Sequence, residues 1–487
     1  MPKKITIEPV TRVEGHGKVT IHLDDNNRVT QSRLHIVEFR GFERFVQGRP
    51  YWEAPVLVQR LCGICPVSHH LAAAKAIDII AGVGPEGLSP AGEKMRRLMH
   101  YGQIFQSHSL HFFHLVSPDL LFGVDGDPAI RNVIGVAMQN KELAVQGVLM
   151  RKFGQEIIKA TAGKKIHGTG AIPGGINKNL SVAERDYFLD GKAIPNVDQM
   201  IDWSLATLEF FKQYHAANKD FIDNYASFPS SHMSLVRKDG AMDLYHGVLR
   251  VVDSEGKKLL DDIDYQDYLS YIGEEVKNWS YMKFPYLKSL GKEKGWYRVG
   301  PLARLNTCDF IPTPLAQKEF EIFRAYTKGK PNGMSMHMHW ARLIEILHAA
   351  EMIKILLKDP DLQSTDLVRR GKKAFEGVGL LEAPRGTLFH HYRINENDQI
   401  TMCNLIVSTT NNNEPMNRAV TWVAQNTISG KAEVTEGLLN GVEVAIRAYD
   451  PCLSCATHAM GKMPLQVSIF DSEENLICEG SRNIDNQ

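Results

Sequence analysis

Two Cys-x-x-Cys pairs, Cys62-Gly63-Ile64-Cys65 and Cys452-Leu453-Ser454-Cys455, are the residues of this chain best suited to chemistry. One such pair is a weak signal, because it serves equally well as a redox dithiol, as half a zinc site or as part of a core. Two pairs together supply four thiolates, a donor set for a soft metal and a poor one for calcium or magnesium. The 386 residues between the pairs do not prevent their meeting in a large fold. Spacing alone leaves three readings open: structural zinc, an iron-sulfur or other redox metal, and two unrelated pairs. Four-cysteine zinc sites are usually local knuckles that stabilise a small domain. Here the pairs lie near opposite ends of a 487-residue chain that is long enough to fold without metal, which favours a functional centre.

The elements that must position these sulfurs are legible in outline. Lys18 to Leu23 and Val29 to Phe39 alternate around a DDNN turn and predict a hairpin, with Thr11 to Gly17 (TRVEGHG) as the loop before it. Pro66 precedes SHHLAAAKAIDII, an alanine-rich helix for which Ser68 is the expected cap. Cys62 and Cys65 then lie in the connection to a helix start, where free amides and the helix dipole favour thiolate. Helical spacing of apolar residues recurs at about 93–115, 143–160, 203–223 and 342–357, so the body reads as mostly helical. His167 to Asn179 reads as a glycine-rich loop, and Leu235 to Tyr265 as a small strand excursion. GTLFHHYRI and MCNLIVSTT read as two strands around a charged turn. A last helix, about 433–449, ends at Asp450-Pro451, where proline turns the chain into the second cysteine pair.

Composition narrows the function classes. Fifty-six basic residues balance 56 acidic ones, so no global field attracts nucleic acid or an anionic membrane. The polar start and the lack of a long apolar run predict a cytoplasmic protein without integral membrane contact. Seven cysteines, an odd number at low density, argue against a disulfide scaffold. No G-x-G-x-x-G follows a strand, and the AGKK at Ala162 to Lys165 lacks the spacing of a phosphate loop, so no nucleotide, flavin or iron-sulfur cluster is expected on this chain.

The wider strings are more specific than the pairs. Arg40 to His70 reads RGFERFVQGRPYWEAPVLVQRLCGICPVSHH, and Tyr449 to His458 reads YDPCLSCATH. With TRVEGH at Thr11 to His16, PGG at Pro173 to Gly175 and APRG at Ala383 to Gly386, they resemble the signature regions of nickel-iron hydrogenase large subunits, most closely the soluble NAD-linked bidirectional type. The resemblance implies an α+β, predominantly α-helical fold with a central helical bundle and small peripheral β-sheets. It implies one catalytic domain over 1–458: a β region to about 60, a helical body over about 66–449 and a metal-ligand segment at 450–458. Residues 459–487 then form a maturation peptide, removed by an endopeptidase after nickel-insertion factors have loaded the site.

The same resemblance implies the site. Cys62, Cys65, Cys452 and Cys455 hold a Ni-Fe(CN)2(CO) centre, with Cys65 and Cys455 bridging to iron. Cys452 takes the first proton and Glu14 the next, with His16 shaping the route or filling a polar contact. Arg385 lies over the open metal position and donates to one cyanide, and Thr409 or Thr410 donates to the other. This chain reads Ser408, Thr409, Thr410 and Asn411 where many relatives have a proline and a tryptophan, which leaves the cyanide donor open. His69 supports the bridging thiolate from behind. Glu43 and His458, with a backbone carbonyl near Asn404 or Leu405, hold a magnesium ion. His108 and His111 serve the core or the site's surroundings, and Ser107 stands where membrane-attached relatives have an aspartate that touches the arginine. Electrons leave through an iron-sulfur small subunit, then through a flavin and iron-sulfur diaphorase, to NAD+. The competing readings are coupling to NADP or a deazaflavin, the respiratory-complex subunit that shares the fold but lacks the cysteines, and a zinc-stabilised assembly protein without redox activity.

Overall fold

The computed structural model describes residues 3–191, 195–458, 465–470 and 476–482. Seven helices carry the body: α1 (Pro66–Ile80), α2 (Pro90–Leu110), α3 (Lys141–Ala162), α4 (Val197–Ala217), α5 (His337–Leu357), α6 (Asn413–Val423) and α7 (Glu436–Ala448). α2 packs on α3 and on α5, and α5 packs on α4, forming the central bundle. Six of these helices match the expected helical stretches and α6 was not expected, but α5 and most of α1 are buried all round, so neither has the polar face of a surface helix. α5 even encloses His339, Arg342 and Glu345. α2 begins earlier than expected, at Pro90, because the Ser89 hydroxyl accepts the Gly92 N–H and proline suits the first helical position. It passes at His111–Val116 into a π-helical turn.

The strands stand at the periphery. β1 (Lys3–Ile7), β2 (Gly17–Leu23) and β3 (Val29–Ile36) form an antiparallel meander, so the expected hairpin holds and gains a first strand. β4 (Ser231–Val236), β5 (Val248–Val252) and β6 (Lys258–Ile263) realise the strand excursion. β7 (Ile272–Glu275) pairs with β8 (Phe284–Leu287), while β9 (Tyr297–Arg298) joins β4 in parallel. β10 (Glu376–Ala383), β11 (Gly386–Ile394) and β12 (Ile400–Ile406) form the sheet nearest the cysteines. β10 went unread in the sequence because seven of its eight residues are buried, so the polar alternation of a half-exposed strand is absent. α1 lies against this sheet so closely that a Cβ on Gly379 would stand 2.0 Å from the Ala72 carbonyl oxygen.

Three further expectations are corrected. α1 begins at Pro66 with Cys65 as its cap residue, and the Ser68 hydroxyl has no partner and caps nothing. The stretch read as a loop at 167–179 contains a two-residue strand pair, Ala171–Ile172 with Gly175–Ile176. The strand read through Thr410 stops at Ile406, and Ser408–Asn411 is a helical turn. The strand-like stretch after His458 is Leu465–Phe470, paired with Leu476–Arg482.

Candidate metal centre

Each sulfur is delivered by the end of an element. Cys62 follows the 3-10 turn Val58–Leu61, Cys65 caps α1, and Cys452 and Cys455 follow the end of α7. Asp450, with φ of 52°, turns the chain between α7 and Pro451. The four side chains meet. Cys452 Sγ lies 2.9 Å from Cys455 Sγ and 3.3 Å from Cys62 Sγ, and Cys65 Sγ lies 3.7 Å from Cys455 Sγ and 4.0 Å from Cys452 Sγ. Four sulfurs around one metal with bonds of about 2.3 Å would stand roughly 3.8 Å apart, so the set fits a thiolate-bound metal. All four are buried.

The backbone prepares them for ionisation. The N–H groups of Ile64 and Cys65 both point at Cys62 Sγ, at 3.1 and 3.4 Å, as expected for a thiolate at a helix start. Hydrogen bonds from Cys452 and then Cys455 hold Cys62 well below the ordinary thiol range and bring Cys65 to about 6. Burial pushes Cys452 and Cys455 up. Four thiolates cannot share a dry pocket without a cation, and a bound metal supplies the charge that lets all four ionise.

Beside the sulfurs lies a small cavity of about 10 Å³, bordered by Cys65, Cys452, Arg385, Thr409, Leu388 and Val407. Arg385 sits in the two-residue turn between β10 and β11. Asp450 anchors it: Arg385 Nε donates to the Asp450 carbonyl at 2.6 Å and Nη2 to Asp450 Oδ1 at 3.0 Å. Its contact with Ser107 Oγ is long, 3.4 Å, so Asp450 is the principal anchor. The Thr409 hydroxyl accepts the Cys452 N–H at 3.0 Å and keeps its own hydrogen to donate. The Thr410 hydroxyl is buried without a partner, and Thr410 does not border the cavity. His69 Nδ1 meets His390 Nε2 at 3.1 Å, and His390 Nδ1 meets the Tyr392 hydroxyl at 2.8 Å, so His69 heads a chain that leads away from the sulfurs.

Glu14 is brought to Cys452 by a two-stranded contact. The Leu453 N–H donates to the Glu14 carbonyl at 2.9 Å, and Glu14 and Cys452 form a parallel bridge. Gly15, with φ of 83°, makes this possible, since a Cβ there would stand 2.7 Å from Ser454 N. Glu14 Oε2 accepts the Cys452 thiol at 3.0 Å and the Ser454 N–H at 3.1 Å. The Ser454 hydroxyl donates to Glu38 Oε2 at 3.0 Å, and Glu38 Oε1 meets His16 Nδ1 at 2.6 Å. His16 is 66% exposed, so this file of groups runs from a buried sulfur to solvent. Sequence reasoning missed Glu38, whose only local signal is its place at the end of an alternating strand. His108 and His111 serve the interior: His108 meets Glu345 at 2.9 Å and His111 meets the Arg447 carbonyl at 2.7 Å.

The expected magnesium ligands have other partners. The Lys283 ammonium lies on Glu43, 3.1 Å from Oε1 and 3.3 Å from Oε2, and the Leu405 N–H donates to Glu43 Oε1 at 2.8 Å. His458 Nε2 donates to the Cys455 carbonyl at 2.8 Å, while its buried Nδ1 has no partner. Among the described residues, Glu43 and His458 belong to no group of three or more His, Cys, Asp or Glu ligand atoms lying within 4.8 Å of one another. The four cysteines do, and so do His215, Asp223 and His337.

Fold and sulfurs together define the large catalytic subunit of a nickel-iron hydrogenase, and the chain belongs to that family: the nickel-dependent hydrogenase model matches residues 40–125 and 147–458, and a HoxL-like model matches 4–39. The NAD-reducing hydrogenase HoxS subunit beta of Cupriavidus necator is 54% identical, covering 99% of this chain and 100% of that protein. An F420-non-reducing hydrogenase polypeptide of Methanothermobacter thermautotrophicus is 44% identical over 97% of this chain and 99% of its own length. The crystal structure of an NAD+-reducing NiFe-hydrogenase in the H2-reduced state superposes with a TM-score of 0.90 at 54% identity, over 94% of this chain and 99% of that one. A Dm. baculatum NiFeSe-hydrogenase, 23% identical with a TM-score of 0.74, shares the fold.

Proposed function

We propose that this chain, loaded with a Ni-Fe(CN)2(CO) centre, splits and forms H2 reversibly and exchanges the electrons with NAD+ through partner subunits. The carrying observation is the convergence of four buried sulfurs beside a cavity bordered by Arg385 and Thr409. A closed structural zinc site needs no such cavity. When bound, the centre supplies the acceptor for the hydride half of hydrogen.

The chain's own residues supply the rest. Cys62, Cys65, Cys452 and Cys455 would hold the metals, and Cys65 and Cys452 border the cavity. Cys452 takes the proton and passes it to Glu14 Oε2, 3.0 Å away. Glu14, turning from the Ser454 N–H to the Ser454 hydroxyl, would hand its proton to that oxygen as the hydroxyl hydrogen passes to Glu38 and on to exposed His16. Arg385, held by Asp450, would bring a permanent positive charge and guanidinium donors to the cavity edge, suited to one cyanide. Thr409, which borders the cavity with a free hydroxyl hydrogen, would supply the donor for the other, whereas Thr410 does not border it. His69 acts through His390 and Tyr392 to fix the start of α1.

Assembly follows from what the chain lacks in sequence: with no nucleotide or cluster motif, electrons leave through an iron-sulfur small subunit, then through a flavin and iron-sulfur diaphorase. NAD+ as the carrier is supported by the 54% identity to the NAD-reducing relative over 99% of this chain. A cytoplasmic location, without membrane or nucleic-acid contact, accords with the balanced charge and with the finding that no described helix is long and apolar enough to cross a membrane. Nickel-insertion factors and an endopeptidase that removes residues 459–487 complete maturation. Two observations support the cut: the family model ends at His458, and the solved NAD+-reducing relative matches 94% of this chain while 99% of its own length is covered. Infrared spectroscopy of the purified complex tests the reading. Carbon monoxide and cyanide bands with nickel and iron in equal amounts are expected, and zinc without those bands in active, processed material would overturn it.

A further inference from the structure

The cation beneath the cysteines is part of the polypeptide. The Lys283 ammonium touches both oxygens of Glu43 at 3.1 and 3.3 Å, Asn404 Oδ1 at 3.2 Å and Glu274 Oε1 at 3.4 Å. These are separations of N–H···O contacts, whereas magnesium draws its oxygens to about 2.0 to 2.1 Å in an octahedron. The cage is oriented for a donor at its centre. The Asn404 amide hydrogens are committed to the Tyr268 hydroxyl at 3.0 Å and Glu274 Oε2 at 3.1 Å, which turns its carbonyl oxygen to the ammonium.

The lysine is also delivered rigidly. Lys283 immediately precedes β8, the partner of the strand that carries Glu274, so one hairpin supplies both charges. The backbone is pinned by Asn413 at the start of α6, whose Nδ2 donates to the carbonyls of Met282 and Lys283 at 3.1 Å each. The histidine expected to complete a metal shell gives its Nε2 hydrogen to Cys455 O, and its buried Nδ1 touches none of the oxygens around Lys283. A divalent ion on these oxygens would sit against a fixed ammonium, and like charges at that distance repel strongly in a part-buried site.

We propose that the Lys283 ammonium stands where the family resemblance implies magnesium, and that this chain holds no divalent ion there. It joins the turn Phe42–Phe45, the β7–β8 hairpin and β12 by a charge that no chelator removes. The experiment is a metal count on the intact, processed complex after passage through EDTA, paired with thermal unfolding of wild type, Lys283→Met and Lys283→Arg with and without added magnesium chloride. Nickel and iron without stoichiometric magnesium or calcium are expected in the wild type. Magnesium should raise the unfolding temperature of Lys283→Met and leave wild type and Lys283→Arg unmoved. Stoichiometric magnesium retained by the wild type, or a Lys283→Met complex no more responsive to magnesium than the wild type, overturns the proposal. Should Lys283→Met fail to assemble, the wild-type count decides. Absence of nickel would count against the proposed function instead, because the magnesium count is read separately.

Discussion

One oxygen of Glu14 takes both the Cys452 thiol and the Ser454 N–H, so the side chain is aimed at the sulfur whichever way its proton moves. Glu14→Gln keeps the shape and removes the proton acceptor. Hydrogen-deuterium exchange with solvent should fall by about 10² to 10⁴, the range for a positioned acid-base group, while nickel and iron stay bound. Unchanged exchange would take Glu14 out of the route. Arg385 differs in kind, since its work is a fixed charge and a planar set of donors held by Asp450. Lysine at 385 cannot make both bonds to Asp450 and still face the cavity. Turnover should drop roughly 10² or more, as for loss of a preorganised donor, with little loss of metal. Equal loss of metal and turnover would assign Arg385 to structure alone. Both residues were readable from their short motifs, but their anchors Ser454, Glu38 and Asp450 gain meaning only through contacts across the fold.

Between elements, the body is held by contacts that amphipathic patterns do not describe. Arg304, on the short helix Pro301–Thr307, clasps Glu345 of α5 with two bonds of 2.6 Å and reaches Glu382 of β10 at 2.9 Å. Burial pushes Glu345 up, yet the charge of Arg304 outweighs it and brings Glu345 to about 2, below the ordinary 4.5. With the folded value depressed, the stabilisation is present above pH 4.5 and is lost as pH falls from 4.5 toward 2. Glu345→Gln should cost about 1.5 to 3 kcal/mol by weakening charged hydrogen bonds while Arg304 keeps Glu382, and should flatten the fall in unfolding temperature below pH 4.5. An unaltered acid profile would refute that assignment. Gly379 works by size. Alanine there drives a Cβ into the Ala72 carbonyl at 2.0 Å, so α1 must lift off β10, at a cost of roughly 1 to 3 kcal/mol measured by thermal unfolding. Because Cys65 caps the same helix, nickel retention should weaken in step. Helix α2 was legible from its helical spacing of apolar residues, though its capped start at Ser89 and Pro90 was not read, whereas β10 was missed because burial on both faces removes the alternation that marks a strand.

At the scale of the whole molecule, both ends of the chain converge on one centre. The first strands bring Glu14 and Glu38, and the last described loop before His458 brings two sulfurs. That loop lies under Arg40 and Gly41, whose N–H groups point at the Thr457 carbonyl at 3.5 and 3.4 Å, and under the proposed maturation it closes last. Intact mass of the active protein should therefore correspond to a chain ending at His458, and a nickel-starved preparation should retain the mass of all 487 residues. Full-length mass in nickel-loaded, active protein would show the extension to be permanent.

The ligand set was fixed in the chain by residue type: thiolates select soft metals wherever the fold places them, and the strings around them name the family before any coordinate is known. Local signals also placed most helices, because caps and 3.6-residue spacing act over a single turn. The convergence of sulfurs 386 residues apart, the anchoring of Arg385 by Asp450 and the seating of Lys283 on Glu43 were decided only by tertiary structure. A charged side chain has no partner until the chain closes, and pairings across hundreds of residues leave no period in the sequence to read.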